Sequence, residues 1–127
     1  MEQPSPPQHT TLQDRPPEHG EGLRGPGHME VVRIRRRSRK HRGLLVFKGR
    51  PGFRSSKASS VQVTVEGGSG PLPAPWFDAE QGRIHLYYAS LGAPELIALL
   101  AEPAAHACYL WTSADGVRRH AWLVKAR

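Results

Sequence analysis

Val61-Gln62-Val63-Thr64-Val65 alternates apolar and polar residues with a period of two. That pattern suits a half-buried strand, because successive side chains leave a strand on opposite faces. Runs of related texture occur at Val31–Arg35, Leu44–Lys48, Arg83–Ala89, Cys108–Thr112 and Val117–Val124. Gly, Pro and Ser clusters separate them: residues 49–60 carry four serines, and Gly67 to Pro75 holds three glycines and three prolines. A chain punctuated in this way is constrained to build a sheet.

One segment reads differently. Pro94 suits the first turn of a helix, Leu96, Leu99 and Leu100 share one helical face, and Pro103 ends it. Ser113-Ala114-Asp115-Gly116 reads as a hairpin turn between the last two strands, with Gly where a positive φ is wanted. The expected order is β-β-β-β-α-β-β. The fold class this predicts is α+β: a small, mainly antiparallel sheet with one short helix on one face. The helix is expected to cover the face that presents Val63, Ile84 and Leu86.

Residues 1–28 contain six of the twelve prolines and only Met1, Leu12 and Leu23 as apolar residues. Such a segment buries too little apolar surface to offset its ordering entropy, so a disordered arm is expected ahead of a single domain at 29–127. Met29 opens the first β-like run and offers a second start point, which would make residues 1–28 an upstream extension. The sequence has no run long enough to span a membrane and no basic-then-apolar leader, which points to a soluble, intracellular (cytoplasmic) protein.

The net charge is +7 over 127 residues, a balance that favours anionic partners. Arg outnumbers Lys 14 to 4, a bias that a GC-rich genome also produces. The charge is concentrated, however. Between Arg33 and Lys57 stand eleven Lys or Arg and no Asp or Glu. Arg35, Arg36, Arg37, Arg39, Lys40 and Arg42 form a run placed in a loop between the first strands, and Lys48, Arg50, Arg54 and Lys57 extend it. Guanidinium groups pair with phosphates in two-point fashion, and neutralising several phosphates gives salt-dependent affinity without sequence preference. Phe53 is placed to stack on an unpaired base. The function expected is a non-enzymatic nucleic-acid-binding protein, DNA or RNA undecided. The alternative is an interaction or assembly subunit whose basic run docks on an acidic protein. The same run matches a nuclear-localisation pattern in a eukaryotic source.

Other chemistry is sparse. Trp111, Trp122 and Tyr87 either fill the core and pair across strands or form a base-stacking platform, and three Trp in so small a domain favour the core. His85, His106 and His120 with Arg118 and Arg119 have the residue types of a ribonuclease site, but their spacing gives no sign of convergence. The lone Cys108 sits in an apolar run and reads as a buried core residue. No catalytic pair, metal-ligand set or cofactor motif is expected; Gly67-Gly68-Ser69-Gly70 lacks the lysine and helix of a phosphate loop.

Overall fold

The computed structural model describes residues 10–13, 27–41, 44–67, 70–89, 94, 96, 98 and 105–126. Eight strands build one sheet: β1 (Thr10–Gln13), β2 (Gly27–His41), β3 (Leu44–Pro51), β4 (Ser60–Glu66), β5 (Trp76–Asp78), β6 (Arg83–Ala89), β7 (Ala105–Ser113) and β8 (Arg119–Ala126). Their spatial order is β1-β8-β7-β2-β3-β4-β6-β5. β1 contacts β6 and β5 contacts β7, so the sheet curls until its two ends approach each other.

The mainly antiparallel α+β expectation is corrected here. The sheet is mixed: β4 runs parallel to β6, and β1 runs parallel to β8. No helical element stands among the described residues. Of the expected helix only Pro94, Leu96 and Ala98 are described, all three helical, while Leu99, Leu100 and Pro103 lie outside the described residues. Leu96 is fully buried in the main core. Among the described residues the core is built from the inner face of the curled sheet together with Leu96 and Ala58.

That inner face is the apolar half of each alternating strand. Val32 of β2, Leu45 and Phe47 of β3, Val61 and Val63 of β4, Ile84, Leu86 and Tyr88 of β6, Cys108 and Leu110 of β7 and Ala121 and Leu123 of β8 pack into one cluster. A second cluster lies on the other face of β7 and β8, where Ala107, Trp111, Trp122 and Val124 are buried with Met29 and Tyr109 packed against them. Antiparallel register puts Tyr109 opposite Trp122 and Trp111 opposite His120, so β7 and β8 are apolar on both faces.

The basic run is also corrected. Arg35 to His41 continue β2, a strand of fifteen residues, rather than forming a loop. The first part of β2 pairs with β7 and the later part with β3. Register shifts fall between Ile34 and Arg36 and between Arg37 and Lys40. Such bulges bend a strand and sharpen its twist, which suits a strand that passes from one partner to the next. Gly49 permits the tight approach there: a Cβ on it would stand 2.0 Å from the Arg33 carbonyl oxygen. The β7–β8 turn is as expected, with Gly116 at φ 77° and the Val117 N–H donating to Asp115 Oδ1 at 3.0 Å. In the segment expected to be a disordered arm, Thr10–Gln13 form β1 and Gly27 and His28 begin β2; residues 1–9 and 14–26 lie outside the described residues.

Candidate functional site

Strand pairing turns the linear basic run into rungs. Arg33 stands directly opposite Arg50, and Arg36 directly opposite Lys48. Like charges directly opposite each other repel and destabilise a sheet. Among the described residues no carboxylate forms an ion pair with Arg33, Arg35, Lys48, Arg50, Arg54 or Lys57, whereas Glu30 pairs with His28. The second rung continues across the sheet. Lys48 pairs with Ser60, Ser60 with Arg83 and Arg83 with Asp78.

Arg83 is held in place. Its Nε donates to Ser60 Oγ and its Nη1 to Gln62 Oε1, both at 3.2 Å. A guanidinium has five N–H donors, so three remain for a ligand. Asp78, at the far end of the rung, accepts the backbone N–H groups of Glu80 and Gln81 at 3.0 and 3.3 Å and so caps the β5–β6 turn.

The next rung of the same face is aromatic. Trp76 pairs with His85 across β5 and β6, and His85 with Gln62 of β4. The indole and imidazole rings stack with centroids 4.3 Å apart and planes 7° from parallel. The indole N–H donates to the Tyr87 hydroxyl at 2.8 Å. Trp76 nevertheless keeps 36% of its surface exposed. His85 Nε2 is buried without a hydrogen-bond partner among the described residues. Burial holds the His85 pKa below the usual histidine range, Asp78 opposing and Arg83 reinforcing that shift. The ring beneath Trp76 is therefore neutral at neutral pH.

A buried carboxylate fixes the loop that follows β3. Glu30 of β2 is 3% exposed. Its Oε1 accepts the Ser56 hydroxyl at 2.7 Å and the Lys57 and Ala58 backbone N–H groups at 2.7 and 3.1 Å. Its Oε2 pairs with the exposed His28 ring. Ser56 Oγ also accepts the Val31 N–H at 3.0 Å, and the Gly52 N–H reaches the Val31 carbonyl at 2.7 Å. Burial raises the Glu30 pKa, but the bonds from His28, Ser56 and Lys57 outweigh it and leave the group ionised below the usual carboxylate range. The glutamate lies between the histidine and the serine. The Ser56 hydroxyl therefore meets a carboxylate already saturated by two backbone N–H groups and no imidazole, and the trio is a clamp rather than a nucleophilic triad.

The residues singled out in the sequence divide accordingly. Lys48, Arg50, Arg54 and Lys57 are exposed, as is Arg35. Phe53 is 39% exposed on the clamped loop. For Arg36, Arg37, Arg39 and Lys40 the strand backbone is described and the side chains are not, and Arg42 lies outside the described residues. Trp111 and Trp122 are buried in the second cluster. Tyr87 joins Trp76. The histidines do not converge: His106 sits opposite Ile34 and Lys125, His120 packs on Trp122 at 4.5 Å, and His85 is under Trp76. Cys108 is buried in the main core, and burial pushes its thiol pKa far up. It is no nucleophile at neutral pH. Among the described residues no group of three His, Cys, Asp or Glu is placed to hold a metal ion, and no helix is long and apolar enough to cross a membrane.

Trp76, Arg83 and His85 were not expected as members of one surface, nor Glu30 as the buried anchor of the loop after β3. The available signal was the Asp78–Gly82 turn, which folds Trp76 back onto His85. In comparisons with known proteins, no family model, curated protein or solved structure matches the chain.

Proposed function

We propose that this protein binds the phosphate backbone of nucleic acid across the outer face of β2, β3, β4 and β6, without catalysis. The observation that carries the reading is the pair of like-charged rungs, Arg33 with Arg50 and Arg36 with Lys48. Opposed cations gain stability from an anion that bridges them, and among the described residues no carboxylate pairs with Arg33, Arg50 or Lys48. Lys48, Arg50, Arg54 and Lys57 are exposed, and Arg83 has donors to spare. The Glu30 clamp supports the reading because it fixes the backbone of the loop that carries Arg54 and Lys57, which lowers the entropy lost when an anion is bound.

The test is fluorescence anisotropy of the full chain with labelled single-stranded RNA, single-stranded DNA and duplex DNA over a salt series. Affinity is expected to fall steeply with salt, by about 0.7 in the logarithmic slope for each single-strand phosphate neutralised. Lys48→Glu with Arg50→Glu is expected to reduce affinity at least tenfold and to flatten that slope. The same double variant is expected to raise the melting temperature slightly, since each glutamate then faces an arginine. Unchanged binding in a folded double variant overturns the proposal. Absence of polyanion binding alongside capture of a single acidic protein would replace it with the docking reading.

A further inference from the structure

We infer that Trp76, seated on His85 and held by Tyr87, is a stacking site for an unpaired nucleobase, so that the protein prefers single strands to duplex. The inference rests on the phosphate-binding reading and adds to it the part of the ligand that lies beyond the phosphates.

Three observations carry it. The first is geometric. His85 covers one face of the indole at 4.3 Å, and the Tyr87 hydroxyl holds its nitrogen edge at 2.8 Å. The exposed part of Trp76 is thus its opposite face and remaining edge, and the ring is fixed before anything binds. A flat, pre-ordered aromatic face loses little entropy on stacking, and every base offers a π-face to it.

The second is placement. Trp76 lies on the register row adjacent to Arg83, because Arg83 and His85 are two residues apart on β6 and Trp76 pairs with His85. Two residues along a strand are about 7 Å. Lys48 and Arg83 lie on one rung, two strands apart, which is about 10 Å at the usual strand spacing. A backbone that crosses from Lys48 to Arg83 therefore arrives beside the indole with a base to place. Stacked bases inside a duplex have no free face to offer, so only an unpaired base makes this contact.

The third is contrast within the molecule. The other two tryptophans, Trp111 and Trp122, are buried in the second cluster. Trp76 is set in a polar frame of Gln62, Arg83, His85 and Tyr87, with its ring partly in water. The stack contributes little to core burial and leaves a surface ready for a planar ligand.

The experiment compares the full-length wild type, Trp76→Ala and Trp76→Phe on three probes: a labelled oligothymidylate or oligouridylate, a duplex of equal phosphate number, and inorganic polyphosphate. Wild type is expected to bind the single strand more tightly than either other probe, with quenching of tryptophan emission by the single strand only. Trp76→Ala is expected to lose about tenfold in single-strand affinity, the low end of what one stacked base contributes, with polyphosphate affinity unchanged. Trp76→Phe is expected to keep most of the affinity but lose the quenching. Its retained ring guards against a folding defect in the alanine variant. Equal single-strand affinity in wild type and Trp76→Ala, with polyphosphate still bound, overturns the stacking site and leaves the phosphate grip standing. No binding to any of the three probes overturns the grip and the stacking site together.

Discussion

The outer face of the sheet has two halves built from the same kind of alternating strand. On β7 and β8 it is apolar and covered: Trp111, Trp122, Ala107 and Val124 are buried, and Arg118 lies over the Trp111 ring at 5.3 Å from its centroid. On β3, β4, β6 and β5 it is basic, polar and open, with Lys48 and Trp76 exposed. Aromatic rings stand on both halves. What separates them is the surroundings. Trp122 lies opposite Tyr109 and Trp111 opposite His120, among large rings that exclude water. Trp76 has His85 beneath it, Tyr87 at its edge and Arg83 on the adjacent row. The comparison teaches that an alternating strand specifies two faces, and that the register of its neighbours decides which outward face is core and which is surface.

The sharpest way to break the comparison is to truncate a tryptophan on each half. Trp122→Ala is expected to cost about 3–5 kcal/mol, the range for removing a buried large aromatic. Trp76→Ala is expected to cost under about 1 kcal/mol. Chemical denaturation of both variants checks this, and equal losses would mean that the two faces are equally structural.

The Glu30 clamp is expected to rank next. Glu30→Ala leaves the Lys57 and Ala58 N–H groups and the Ser56 hydroxyl without their acceptor, at a cost of about 3 kcal/mol for buried donors left unmade. Because the Glu30 pKa is lowered on folding, its contribution is fully present above the unfolded-state value of a glutamate and is lost as pH falls through the folded one. Wild type should therefore lose melting temperature on acidification through that window, whereas Glu30→Gln should start lower and change less. The difference between the two curves isolates this group. The smallest effect is expected from Arg118→Ala, about 0.5–1 kcal/mol for a cation–π contact near the surface, with no change in polyanion binding. A fall in binding would extend the active surface into the apolar half.

Much of the sheet is legible locally. Ile84, Leu86 and Tyr88 share the buried face of β6 while His85 and Tyr87 take the other, as their alternation requires. Gly116 marks the turn between β7 and β8. The length of β2 is not legible, because Arg35 to His41 has no apolar alternation; pairing with β3 makes it a strand. The brevity of β5 hides it too: three residues, Trp76–Asp78, carry no period. The candidate site shares this fate. Its cations were visible as a run, but their opposition in rungs was not.

The sequence by itself determined that the chain builds a sheet, which residues turn inward, where the β7–β8 hairpin turns and that positive charge gathers between Arg33 and Lys57. Period, turn chemistry and charge are properties of neighbours in the chain. Only the tertiary structure decided that β4 runs parallel to β6, that Glu30 reaches Ser56, Lys57 and Ala58, and that Trp76 rests on His85 in the row beside Arg83. Those facts depend on which strands lie side by side and in what register. The packing of the whole curled sheet settles that choice, and no single segment contains it.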